Sequence, residues 1–250
     1  MQDQAGTVYF RLLLWLGEIR MKIIDLSNRI DDGLKTHPSH PRIVINDFVT
    51  HEFTAPRYTP PCKGFATKQL LISDHAGTHV DAPTHFYADS ESIDQQNLDK
   101  YFGEAILLDV SNKDLRRPVD LELIHRTLKK DNLEVRQGDI VLIRAWSGGW
   151  KDDDFHRANG LSIDAARWLR EMGMKAVGID LGNIEDNADM TRRVHLYLLA
   201  EKVPIYENLA NLESIPVKRF LFAGFPLYLK GCTGSPVRAV ALIDEQKVHG

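Results

Sequence analysis

Three histidines and an aspartate fall within eleven residues, in the run His75-Ala-Gly-Thr-His79-Val-Asp81-Ala-Pro-Thr-His85. Imidazole nitrogen and carboxylate oxygen suit Zn²⁺, Mn²⁺ or Fe²⁺, so the pattern H-x3-H-x-D-x3-H reads as a metal-binding loop. A helix does not fit. His75 and His79 would share a face, but Asp81 falls well around the cylinder, and Gly77 and Pro83 oppose a helix interior. In an extended chain all four residues share one parity and hence one face, yet His75 and His79 would stand ~13 Å apart, at about 3.3 Å per residue. The expected solution is an irregular loop after a strand, with Gly77 letting the chain curl and Pro83 stiffening its exit. The competing reading is three surface histidines in a polar loop. Downstream, His195 lies in a helical stretch and Glu207 follows Pro204-Ile-Tyr. Taken singly, the first reads as a helix-surface or core histidine and the second as a solvated or capping residue.

Strand-like runs rich in Val, Ile, Leu and Phe occur at 22–26, 42–50, 65–73, 104–110, 139–146, 175–180, 219–225 and 236–243, bounded by turn residues. Helical patterns fall near 119–130, 162–173 and 191–202. In the second, Ser162 is the expected N-cap, and Ala165, Ala166, Leu169 and Met172 repeat at helical spacing before Gly173. Strands alternate with helices in the second half, while the first half is mostly strand and loop. That mixture predicts one α/β domain with a mixed sheet. The domain is expected to begin at Met21, where Lys-Ile-Ile-Asp-Leu-Ser reads as a first strand. Residues 1–20 are then an N-terminal extension, helical or a start-site artefact. Their apolar run, Val8 to Leu16, is interrupted by Arg11. It is too short to span a bilayer and lacks the pattern of a secretory signal.

The 250 residues suffice for a sizeable core. A net charge of −4 without a basic run argues against a nucleic-acid partner. Two distant cysteines, Cys62 and Cys232, stand outside any CxxC pattern and point to a reducing compartment, the cytoplasm, rather than a disulfide framework. Partners are thus expected to be a small-molecule substrate, with neither nucleic acid nor membrane.

The segment His75 to Phe86, HAGTHVDAPTHF, resembles the signature of the cyclase family, which includes bacterial kynurenine formamidases and isatin hydrolases. The resemblance extends from Met21 to about Ile243. It includes Gly178-Ile179-Asp180, His195 with Leu198-Leu199, Glu207-Asn208-Leu209 and Gly234-Ser235-Pro236-Val237-Arg238. It implies a compact α/β fold with a barrel-like sheet beside helices, assembled as a homodimer or homotetramer. It also implies that His75, His79 and Asp81 are metal ligands and that His85 is the general acid/base. His195 and Glu207 would be ligands of a second ion, with Asp81 and Glu207 bridging. The sequence departs from the family in two places. Leu34-Lys35-Thr36-His37-Pro38-Ser39 stands where kynurenine formamidases carry an aromatic residue before Pro-Gly. Leu181-Gly182-Asn183 replaces the usual serine-containing run.

The implied chemistry is hydrolysis of a small amide, N-formyl aryl amide or cyclic amide with one or two ions of zinc or manganese per subunit. A metal lowers the pKa of bound water from about 15.7 toward ~7, and a neutral His85 relays the proton to the leaving amine. A lactonase or cyclising dehydratase on the same scaffold, or a metal-holding protein without turnover, are the alternatives. His85 argues against the last, because a closed structural site needs no further histidine beside it. Cys232 reads as a packed thiol rather than a nucleophile. Trp146, Trp150 and Phe155 are candidates for an aryl pocket, or else for core or interface. Arg238 reads as an ion-pair residue or a subunit contact.

Overall fold

The structure is a computed structural model and describes residues 8–14, 17–34, 36–37, 39–149, 152, 154–186 and 189–247. In chain order the strands are β1 (Val8–Leu14), β2 (Gly17–Asp25), β3 (Val44–Val49), β4 (Thr67–Leu71), β5 (His79–Asp81), β6 (Phe102–Asp109), β7 (Ile140–Arg144), β8 (Ala176–Ile179), β9 (Ile205–Glu207), β10 (Arg219–Ala223), β11 (Gly234–Pro236) and β12 (Val240–Asp244). The α-helices are α1 (His51–Thr54), α2 (Leu121–Lys130), α3 (Ile163–Glu171) and α4 (Arg193–Ala200).

Ten strands form one mixed sheet in the order β1-β2-β12-β10-β6-β7-β8-β9-β5-β11, and β3 and β4 form a separate hairpin. The central strands β6 to β9 run parallel, with α2, α3 and α4 in the connections between them. Their residues are buried on both faces, so they read in sequence as continuous apolar runs rather than as an alternation. Ile106, Leu108, Val141, Ile143 and Val177 face Leu123, Ile124, Ala165, Leu169 and Leu198 of the helices. Ala105, Leu107, Ile140, Leu142 and Ala176 face the other way. There Ile24, Val80, Tyr206, Phe222 and Ala241 join one cluster. Side chains from so many strands meet there because the sheet curls around them, the barrel-like form expected of the sequence.

The caps explain where the helices begin. The Asp120 side chain accepts the Leu123 N–H, and Ser162 accepts that of Ala165, filling otherwise unpaired first-turn donors. Each strand expected from the sequence is present, as are the three long helices. The amino terminus differs. Val8–Leu14 is a strand, paired antiparallel with Gly17–Ile23, so the helical reading of this stretch is corrected. The period-2 pairing of a β-hairpin satisfies its backbone, which a short apolar run with one arginine does not reveal. Residues 1–7 and 15–16 lie outside the described residues, as do Lys35, Pro38 and Trp150.

Candidate metal centre

The loop that follows β4 turns back at Gly77, whose φ of +65° is left-handed and costs glycine little. The chain then enters β5, where His79 and Asp81 point to the same face, two residues apart. Pro83 opens a 3-10 turn, Pro83–His85, that carries His85 out of the strand. On one side β5 pairs with β9, which sets His79 opposite Glu207. On the other it pairs with β11, which sets Gly234 opposite Asp81. A Cβ on Gly234 would lie 2.7 Å from His75 Cε1 and 2.9 Å from the Val80 carbonyl oxygen, so this position admits only glycine without movement. Helix α4 carries His195 to the same place.

His75, His79, Asp81, His195 and Glu207 are all buried. His75 Nδ1 lies 2.8 Å from Asp81 Oδ1. His79 Nε2 is 3.5 Å from both Asp81 Oδ1 and Glu207 Oε2. His195 Nε2 is 3.7 Å from Asp81 Oδ2 and 3.3 Å from Glu207 Oε1. Two groups could each hold a metal ion, His75-His79-Asp81 and Asp81-His195-Glu207, with Asp81 common to both.

The outer nitrogen of each ring shows how these histidines are set. His79 Nδ1 faces the Gly77 carbonyl at 2.9 Å, which can only accept, so Nδ1 bears the proton. His195 Nδ1 faces a Glu185 carboxylate oxygen at 2.6 Å, with the same consequence. Thr233 Oγ1 donates to Asp74 and therefore accepts from His75 Nε2 at 2.8 Å. With the outer nitrogens protonated, the neutral rings aim their lone pairs inward at Asp81 and Glu207. Neither oxygen of Asp81 has a hydrogen-bond partner, which is costly for a buried carboxylate. The donor set and the orphaned carboxylate therefore fit a divalent cation. Without one, the carboxylates draw protons to the rings. Burial opposes charge on His195, yet Glu185 and Glu207 outweigh it and raise its pKa to about 10. Glu207 and Asp81 likewise raise that of His79 against burial. Burial raises and the two histidines lower the Glu207 pKa, leaving it well below the usual carboxylate range.

His85 is part of neither metal-competent group. Its ring lies tilted by 35° against that of His75, with centroids 4.1 Å apart, and 6.1 Å from that of His195. Burial, outweighing Asp81, lowers its pKa. A cavity of about 160 Å³ opens over the cluster and is lined by His85, His37, His40, Phe86, Asn183 and Arg192, among others. The sequence reading did not single out Glu185, His40 or Arg192. Glu185 also accepts the Val194 N–H at the start of α4. Trp146 lines a different cavity, Phe155 is buried in the helix-side core, and Cys232 packs against the other core. Arg238 makes an ion pair with Asp25.

Residues 24–186 match the family described as "Putative cyclase". Kynurenine formamidase of Bacillus cereus is 30% identical over 172 residues, which cover 69% of this chain and 78% of that protein. The Bacillus mycoides protein of the same name is 30% identical over the same shares. Among solved structures, isatin hydrolase A from Labrenzia aggregata bound to benzyl benzoate is similar with a TM-score of 0.76. It is 20% identical, and the likeness covers 90% of this chain and 94% of that one. The family match contains His75, His79, Asp81 and His85, and the fold carries His195 and Glu207 to the same place. The chain belongs to the cyclase family.

Proposed function

We propose that this chain is a metal-dependent hydrolase of a small N-formyl aryl amide or cyclic amide, with zinc or manganese as its ion. The observation that carries this reading is the set of three imidazole lone pairs, on His75, His79 and His195, turned toward two buried carboxylates. His75, His79 and Asp81 would hold one ion, and Asp81, His195 and Glu207 would hold a second. When bound, such ions lower the pKa of water and polarise a carbonyl oxygen. His85 stands beside the ligands without joining them, so one of its ring nitrogens takes the proton of the attacking water and returns it to the departing amine. The kynurenine formamidase relatives support the formyl amide class.

The test is turnover by the metal-loaded protein on N-formylkynurenine, isatin and simple lactones. Amide turnover is the expected result; turnover confined to lactones would favour the lactonase reading. Protein that holds no metal, and takes up none on titration, would overturn both.

We also infer a homodimer or homotetramer. The β3–β4 hairpin leaves Phe48 72% and Leu71 66% exposed, an apolar surface that a second copy would cover. Sedimentation mass tests this. The free thiols of Cys62 and Cys232 support a cytoplasmic setting, and no described helix is long and apolar enough to cross a membrane.

A further inference from the structure

Arg192 lines the cavity over the proposed metal ligands. Its Nη1 is buried and has no hydrogen-bond partner, and among the described residues its guanidinium makes no ion pair. Nearby carboxylates are already engaged. Asp189 pairs with Arg193 at 3.2 Å, and Glu185 with His195 at 2.6 Å. Glu207, the one carboxylate of the described lining, is turned to His79 and His195. A buried donor of this kind needs an acceptor.

Two further polar atoms of the same lining are also buried without partners, His40 Nδ1 and Asn208 Oδ1. The backbone of Arg192 is left-handed, with φ 50° and ψ 41°. A non-glycine residue held there is uncommon and tends to mark a site where a side chain must be aimed. His37, also in the lining, has its pKa lowered to about 4 by burial and by His40 and Arg192. It therefore adds no positive charge near neutral pH. Among the described lining residues, Arg192 is the one arginine or lysine, and the one carboxylate, Glu207, is already engaged by His79 and His195.

We propose that Arg192 binds a carboxylate of the substrate, so that the site takes amides bearing an acidic group in preference to their neutral counterparts. A guanidinium pairs with a carboxylate through two parallel hydrogen bonds, which would fix how the amide lies relative to His85. This rests on the amide-hydrolase reading and narrows it to acidic substrates.

The experiment compares N-formylkynurenine with its carboxamide, using metal-loaded wild type, Arg192→Lys and Arg192→Gly. The glycine variant suits a φ of 50° and so removes the guanidinium without disturbing the start of α4. Wild type should prefer the acid. Arg192→Gly should raise KM for the acid about 10- to 100-fold while changing that for the carboxamide little. Metal content should hold, and Arg192→Lys should recover part of the loss. Equal effects on acid and carboxamide, or a wild type indifferent between them, would overturn the proposal.

Binding of kynurenine and kynurenine carboxamide, followed by calorimetry, keeps the proposal separate from the reaction. If neither formyl compound is turned over, the amide-hydrolase reading fails. Tighter binding of kynurenine than of its carboxamide, lost in Arg192→Gly, would still establish carboxylate recognition; equal binding would refute it.

Discussion

His79 and His85 share a side-chain type and a short segment, yet their surroundings differ. His79 faces two carboxylates within 3.5 Å, whereas His85 packs tilted against a proposed ligand, His75. His85→Ala should therefore keep its metal and lose about 10²–10⁴-fold in kcat, the usual contribution of general acid–base catalysis. His79→Ala should lose metal affinity and rate together. Metal content and turnover measured side by side decide this; if His85→Ala lost metal as badly, His85 would be a ligand. Glu185→Gln tests the outer contact of His195. It should weaken metal binding about 10- to 100-fold, as loss of such orienting partners does. Chelator competition measures it, and an unchanged affinity would refute the role. The short loop from His75 to His85 was legible in the sequence because ligand types crowd there between Gly77 and Pro83. Glu185 was not. It lies 10 positions before His195, in an irregular stretch with no period, and only the fold sets it against that ring.

The elements that build the site are also those the sequence concealed. β5, β9 and β11 have three residues each, too few to show alternation, whereas β6 and β7 read clearly as apolar runs. His79 and Asp81 needed a strand rather than a loop throughout, and the pairing with β9 and β11 supplies it. Gly234→Ala would push β11 from β5 at His75. It should destabilise the fold by about 1–3 kcal/mol, as overpacking does, and weaken metal binding; thermal denaturation and metal titration would show both or refute the close approach.

Asp180 follows directly on the last residue of β8. It accepts N–H bonds from Ala145 at 2.7 Å and Trp146 at 3.3 Å, tying together the segments that follow β7 and β8. Burial raises its pKa from 3.8 to about 7 despite those bonds. Because the folded value lies above the unfolded one, the stability contributed by the protonated form is present below about 3.8 and is lost as pH rises through about 7. Asp180→Asn should remove that part of the slope between pH 4 and 7 in denaturant titrations. A slope equal to that of wild type would show that another group is responsible.

For the whole molecule, the mixed α/β class followed from the alternation of strands and helices after β6. The strand order did not, because β5 and β11 extend one end of the sheet while β12 and β2 extend the other, through pairings distant in sequence. The place of residues 1–20 follows from those pairings. Among the described residues β1 pairs with β2 alone, and in strand order it stands at the end of the sheet opposite β5 and β11. The part of β2 that pairs with β12 is Met21–Asp25, so a chain beginning at Met21 keeps that ladder whole and lacks β1 with its partner residues before Met21. We expect the shortened protein to fold, bind metal and turn over substrate as the full chain does. Removing β1 leaves β2 as an unprotected edge, and such edges favour association. The expected change is therefore greater aggregation at high concentration, read by light scattering. A shortened protein that failed to fold, or that stayed folded with lost turnover or metal, would show that residues 1–20 belong to the working domain.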